Sequence, residues 1–452
     1  MTQNSQDMMD TPRKKPEEAL PLERRGLPAP TLWLIAVLTG LTSAGLALGA
    51  AALTGTCPLP EVAADGISFL ILAVTIIALF SVCRRTMRWL PALLLLLALP
   101  LCWMTGSTIP VMAGISTIAC IGFASLLLAV SPAAILCRLP LIPLCTYAVS
   151  LLLCRDPLAA LICLVPFPAA AALAFGTRAS AKSAEGPERV GVICLTSLSL
   201  GLTVVLAAAV FLSISLEGGL SIGSLKALLE EIRTEAAAAL VDMSQSIAAE
   251  ASRAPTGLMS GMLGPDTEAV KAMTTDEAVD TVNSAINMLP GVLILCFNVT
   301  AALAQCILHG TLGSFGYEKS VCGRVRVFRL SRMAGITFLA AFITAFVSAL
   351  ASQSSTLAGT AAENIVLILQ PGLALCGFMR LTVNLVTRSR GNPGCFPFIV
   401  LLFAPLLLIV GSSLLALYEG GALLLEAILS LFPHSEDDDE GPFSDPDDDD
   451  PF

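Results

Sequence analysis

Long runs of apolar residues, separated by short polar segments, recur along most of this chain. Eleven runs are predicted as membrane-spanning helices, each of the length that crosses a bilayer. They cover residues 32–53, 67–83, 90–106, 110–130, 133–153, 157–176, 190–214, 288–310, 333–351, 364–386 and 396–418. The runs are rich in Leu and Ala and do not alternate between apolar and polar positions, which excludes a transmembrane β-barrel. The pattern predicts an all-α polytopic integral membrane protein with about 11 transmembrane helices.

Two polar blocks divide these runs into membrane domains. The predicted organisation is a polar, basic cytoplasmic segment at 1–31, an N-terminal membrane domain of about seven spans at 32–214, an extracytoplasmic helical loop at 215–287, a C-terminal membrane domain of about four spans at 288–418, and an interfacial segment with an acidic tail at 419–452. The apolar stretch at 419–433 contains Glu426 and is too short to span, so it is expected to lie at the interface or on the bundle.

The loop at 215–287 begins with an amphipathic helical pattern. Its apolar residues recur at steps of three and four: Ile222, Leu225, Leu228, Leu229, Ile232, Ala236, Leu240, Met243 and Ile247. The opposite faces are acidic, whereas helices that lie on anionic lipid are usually basic, so packing over the bundle or against a partner helix is favoured. A second, shorter helix is predicted from Thr275 as the N-cap and leads into the span at 288.

The distribution of basic residues orients the chain. With the N-terminus in the cytoplasm, nineteen Lys and Arg residues fall in predicted cytoplasmic segments and five outside, four of them in the long loop. An odd number of spans then places the C-terminus outside the cell membrane. Arg380 falls within the tenth span and is expected to extend toward the cytoplasmic interface.

Composition supports the membrane class and excludes several functions. Hydrophobic residues make up 55% of the chain, charged residues 13%, and the mean hydropathy is +0.82. The net charge of −10 comes from the tail, because ten of the 35 acidic residues lie between Glu436 and Asp450 and the remaining acids equal the 25 basic residues. The Cys and His residues have no metal-ligand spacing, and nucleotide-binding, zinc-protease and serine-hydrolase motifs are absent. No enzyme, cofactor or nucleic-acid partner is therefore expected.

Polar side chains on two late spans are the candidate site. Asn298, Gln305 and His309 share one face of the eighth span, and Gln370 and Asn384 share one face of the tenth, with Gly377 between them. Polar groups are unfavourable in hydrocarbon, so both faces are expected to point into the bundle. They could line a solute or proton path between the two helices, or they could form interhelical hydrogen bonds that only fix packing.

The C-terminal portion resembles a known family. The resemblance is carried by LPGVLILCFNVTAALAQCIL at 289–308, a basic loop followed by VFRLSRMAGITFL, ENIVLILQPGLALCGFMRLTVNLVTRSRG at 363–391, and FPFIVLLFAPLLLIVGSSLLALYEGG. These segments look similar to the YybS-like family of predicted bacterial membrane proteins, which has no established function and no defined site residues. The resemblance implies a bacterial inner-membrane protein with several N-terminal spans and an outer helical loop.

Two functions remain open at this point. The first is a small-solute transporter, or the substrate-binding membrane component of a multi-subunit importer with an external ATPase partner. The number of spans, the proline-interrupted helices and the polar faces favour it. The second is a non-catalytic membrane scaffold in envelope assembly or division, with other membrane proteins as partners. The lack of an acidic residue well inside any predicted span favours the scaffold, because carriers coupled to an ion gradient often use such a residue.

Overall fold

The computed structural model describes residues 29–53, 55, 57–83, 89–130, 141–155, 157–181, 189–215, 221–253, 273–314, 330–350, 356–388 and 411–430. These ranges contain α-helices and one short 3₁₀ segment, and no strand. The helices are α1 (Ala29–Leu53), α2 (Glu61–Val82), α3 (Trp89–Thr105), α4 (Ile109–Val130), α5 (Leu141–Cys154), α6 (Pro157–Leu161), α7 (Pro166–Ala181), α8 (Arg189–Ser215), α9 (Ile222–Arg253), α10 (Thr275–Ser314), α11 (Arg332–Leu350), α12 (Leu357–Arg388) and α13 (Ser412–Leu429).

Nine helices in these ranges are long and apolar enough to cross a membrane. The protein is therefore an all-helical, polytopic membrane protein. The predicted spans at 90–106 and 133–153 correspond to the shorter apolar helices α3 and α5, of 17 and 14 residues. The predicted span at 396–418 lies mostly outside the described part of the chain. The count of about 11 thus stays a prediction.

The chain forms two compact units, Met1–Arg326 and Val327–Phe452. The boundary differs from the predicted domain boundary at 288, because α10 packs with α4 and α8 in the first unit. Its buried residues Ala304, Ile307 and Leu308 belong to the main apolar core of that unit.

Helices of the first unit run in the directions that the predicted topology requires. The Cys120 thiol lies 3.9 Å from Thr39 O, and a Cβ on Gly49 would contact Ala113, so α1 and α4 are antiparallel. Ser107 Oγ donates to Asp65 Oδ1 at 2.9 Å, so α2 and α4 begin at the same end of the unit. This arrangement agrees with predicted spans that alternate across the membrane.

The chain between α5 and α7 is broken rather than continuous. A 3₁₀ segment, Ile162–Leu164, joins α6 to α7. Pro166 is the first residue of α7, a position whose N–H has no acceptor within the helix, so the missing N–H of proline costs no hydrogen bond there. Ser43 Oγ on α1 donates to Cys163 O at 2.7 Å. This bond satisfies one carbonyl that the helix break frees, as a hydrocarbon environment requires.

The long helix α9 packs against the first turns of α10. Ala237, Ala278 and Val282 form a small buried cluster, and the Met273 N–H donates to Ser244 Oγ at 3.1 Å. The predicted N-cap Thr275 is wrong by one residue: Thr274 and Glu277 form a reciprocal capping box. The predicted second loop helix and eighth span are one helix of 40 residues. Whether α9 lies outside the cell stays a prediction.

In the second unit, α12 and α13 are parallel. Gln370 contacts Ser412 at the start of α13, whereas Arg380, ten residues later, contacts Glu426 near its end. Helix α11 is antiparallel to both, since Gly359 faces Ser348 and Gly335 faces Leu423. Two parallel helices that cross a membrane end on the same side.

This parallel pair bears on the predicted C-terminal region. The predicted boundary between 418 and 419 falls inside α13, which continues to Leu429 and is itself long and apolar enough to span. Arg388 and Leu429 end parallel helices and lie at the same end of the second unit, and the side of the membrane on which the C-terminus lies stays a prediction. The sequence pattern missed α13 because Glu419 and Glu426 make it look too polar to cross.

Candidate functional site

An ion cluster inside the second unit is the candidate site. Arg380 Nε of α12 lies 2.8 Å from Glu419 Oε2 of α13. Arg380 Nη2 donates to Glu419 Oε1 at 3.1 Å and to Glu426 Oε1 at 3.0 Å. One guanidinium therefore contacts two carboxylates from the neighbouring helix. We call Arg380, Glu419 and Glu426 the ion cluster.

The helix geometry explains why these side chains meet. Glu419 and Glu426 are seven residues apart, which places them on one face of α13 two turns apart. Opposite them, α12 and α13 approach closely at Gly377, where a Cβ would overlap the Leu415 carbonyl oxygen. This close approach brings the long Arg380 side chain into the space between the two glutamates.

Burial differs between the members of the ion cluster. The Glu419 side chain is 3% exposed, whereas Arg380 and Glu426 are 26% and 28% exposed. Glu419 Oε2 accepts no hydrogen bond of good geometry, although Arg380 Nε is close to it. Between Met333 and Leu350, the adjacent helix α11 has no ionisable side chain. The environment of Glu419 is therefore apolar on that side.

The ion cluster brings two acidic side chains and one basic side chain together. Arg stays protonated in proteins, so its guanidinium is a fixed positive charge beside both glutamates. A charge inside hydrocarbon is unfavourable, and an unpaired buried ion costs several kcal/mol. The buried Glu419 therefore depends on Arg380 as its cation.

Gln370 and Asn384, the predicted site residues of α12, lie on the same interface as the ion cluster. Gln370 Nε2 donates to Ser412 Oγ at 2.9 Å and to Ser413 Oγ at 3.1 Å. Asn384 Nδ2 donates to Tyr418 Oη at 3.3 Å. Both are interhelical hydrogen bonds between α12 and α13, the two helices that carry the ion cluster.

The predicted site residues of α10 lie in the first unit. Gln305 and His309 are 6% and 7% exposed, and Asn298 is half-buried. His309 is therefore buried although it lies close to the C-terminal end of α10. These three residues and those of α12 belong to different units, so a path between α10 and α12 stays a prediction.

Sequence reasoning missed the ion cluster for two reasons. Arg380 was expected to extend to the interface, and the glutamates were assigned to a segment at the interface or on the bundle. A signal did exist, because Glu419 and Glu426 are one heptad apart in an otherwise apolar helix, a spacing that aligns them toward one partner. Among the described residues, no group of three or more His, Cys, Asp or Glu could hold a metal ion.

Comparisons with known proteins do not assign the chain to a family. No protein-family model, no curated protein and no solved structure matches it. The resemblance of the C-terminal portion to the YybS-like family therefore stays a prediction, and functional interpretation depends on the chain's own residues.

Proposed function

We propose that this protein is a membrane-embedded carrier of a small solute, and that the ion cluster of Arg380, Glu419 and Glu426 holds its coupling proton. The observation that supports the proposal is one guanidinium between two carboxylates on facing apolar helices. Coupled carriers commonly keep an ionisable group of this kind within their spans.

The energetic argument favours a functional role for these charges. Apolar residues of similar volume usually stabilise a buried interface as well as an ion pair does, or better. A charged interface between α12 and α13 is therefore a costly way to hold two helices together. Its carboxyl groups give it a use that apolar packing cannot supply, since a carboxyl group can take up and release a proton.

The proposed coupling proton makes the importer component and the membrane scaffold weaker alternatives. A coupling proton makes an external ATPase unnecessary for active uptake, so the importer component becomes the weaker version of the transport hypothesis. A membrane scaffold remains the second candidate, because Ile222, Leu225, Leu229 and Ile232 form an exposed apolar stripe on α9. A partner helix could cover that stripe.

The test is solute-driven proton movement in proteoliposomes that contain a trapped pH-sensitive dye. Amino acids, sugars, carboxylates and nucleosides are added separately to vesicles with wild-type protein. We expect at least one class to change the internal pH, and Glu419→Gln to abolish that change. Glu363→Gln, a matched change on α12 outside the ion cluster, should retain it. Equal proton movement in wild-type and Glu419→Gln vesicles for every class would contradict the carrier proposal.

A further inference from the structure

A cavity of about 470 Å³ lies among helices of the first unit. Its walls come from α1, α4, α8, α10 and the break between α6 and α7, and include Leu46, Gly114, Val204, Phe211 and Phe297. Its size falls within the usual range for small-molecule sites in proteins. It lies within the first unit, so it is separate from the ion cluster of the second.

The cavity lining offers little to a polar ligand. Its only polar side chains are the hydroxyls of Thr117 and Thr300 and the thiol of Cys296. Thr117 Oγ1 already donates to Ala113 O of its own helix at 2.8 Å. No lining residue carries a charge. Cavities of this kind stay dry and bind apolar molecules, because a water molecule or polar solute would find too few hydrogen-bond partners.

The cavity adjoins the part of the protein that faces lipid. Helix α8, which forms one wall, is a candidate membrane span with only 11% of its most apolar window buried. Val210 and Phe211, which line the cavity, are 43% and 40% exposed. In a bilayer, such an exposed apolar surface contacts hydrocarbon chains. The cavity is thus accessible to the chains that surround the helix.

Gly114 leaves open space at the cavity wall. A Cβ built on this residue would meet no heavy atom within 4 Å, although α4 is otherwise closely packed in the core. A side chain at 114 would therefore start from open space at the cavity wall. This makes Gly114 a position from which occupancy of the cavity can be blocked selectively.

We propose that this cavity binds one acyl chain of a membrane phospholipid. The bilayer supplies such chains in large excess, and the lining matches their chemistry along its whole surface. Because no charged side chain lines the cavity, it recognises the hydrocarbon chain and not the phosphate head group. The bound chain fills the space between α4, α8 and α10 and becomes part of their packing.

The experiment uses the full-length protein in nanodiscs that contain phosphatidylcholine with a photoactivatable diazirine on one acyl chain. After illumination, mass spectrometry maps the labelled peptides. We expect strong labelling of 200–211 and 296–300, and a loss of at least fivefold in Gly114→Phe. Gly66→Phe on α2 is the matched control, since a Cβ on Gly66 also meets nothing within 4 Å. This control should retain the labelling.

Several results would overturn the assignment. Equal labelling of these peptides in Gly114→Phe and wild type would mean that only lipid at the outer surface is detected. Preferential labelling by a diazirine-bearing isoprenoid alcohol, undiminished by excess phospholipid, would assign the cavity to a different hydrocarbon. If Gly114→Phe is not monodisperse, Ala208→Phe, at another lining residue, provides the same comparison.

Discussion

The two units of the chain accommodate their buried polar side chains in different ways. In the first unit, buried hydroxyls mostly bond to their own helix: Thr39 to Ile35 O, Thr75 to Ile71 O and Thr196 to Val192 O. Its buried polar residues in the described ranges are Ser, Thr, Gln and His, with no Asp, Glu, Lys or Arg. In the second unit, polar groups bond across a helix interface, and three of them are charged.

Buried polar side chains therefore have two different roles in this membrane protein. A hydroxyl that donates to a backbone carbonyl of its own helix needs no hydrogen-bond partner on the neighbouring helix. A charge that needs a partner on another helix fixes which helices meet, in which direction and in which register. The first unit contains an apolar cavity, whereas the second unit holds paired charges at a helix interface.

The largest expected effect concerns the direction of α13. Because α12 and α13 are parallel, we expect a reporter fused after 390 and one fused after 432 to lie on the same side of the membrane. Alkaline phosphatase and green fluorescent protein fusions, which are active on opposite sides, measure this directly. If the two fusion points report opposite sides, the parallel arrangement of the second unit is wrong.

Removal of the cation from the ion cluster should destabilise the protein strongly. Arg380→Met leaves the buried Glu419 without its cation, and we expect a loss of about 3 kcal/mol in the free energy of unfolding. Denaturation by sodium dodecyl sulfate in mixed micelles provides the measurement. Adding Glu419→Gln and Glu426→Gln to Arg380→Met should recover most of the loss. A triple variant as unstable as the single one would show that packing, and not charge, holds this interface.

Adding a side chain at the close contact between α12 and α13 should have a smaller effect on stability. Gly377→Leu places a side chain against the Leu415 carbonyl, and overpacking of this kind costs about 1–3 kcal/mol. Gly421→Leu on α13 is the control, because a Cβ there meets nothing within 4 Å. The same unfolding assay applies. Similar stability of the two variants would contradict the close contact at Gly377.

The smallest effect compares two glutamines, one in each unit. Gln370 bonds to Ser412 and Ser413, so Gln370→Leu should destabilise by about 0.6 kcal/mol, a typical value for a hydrogen bond between membrane helices. Gln305 makes no hydrogen bond with the described residues, so Gln305→Leu should be neutral or slightly stabilising. A larger loss for Gln305→Leu would mean that the Gln305 side chain also has a structural partner.

The first unit was largely predictable because its signals are local. Apolar runs predicted α1, α2, α4, α8 and α10 in approximately their observed positions. The candidate site was harder. The heptad spacing of Gln370 and Asn384 indicated a polar interface, but nothing in their own segment indicated that Arg380 faces Glu419 and Glu426.

The sequence by itself determined that this chain crosses a membrane as helices. Runs of about 20 apolar residues are most stable inside a bilayer, where their backbone groups must form hydrogen bonds within the segment. Only the tertiary structure decided that α13 lies parallel to α12 and that its two glutamates face an arginine. A charge in an apolar segment can mark the end of a span or the partner of another charge. Which of these two roles a charge has depends on a residue that is distant in sequence. Hydropathy is evaluated one segment at a time, so it cannot distinguish the two roles.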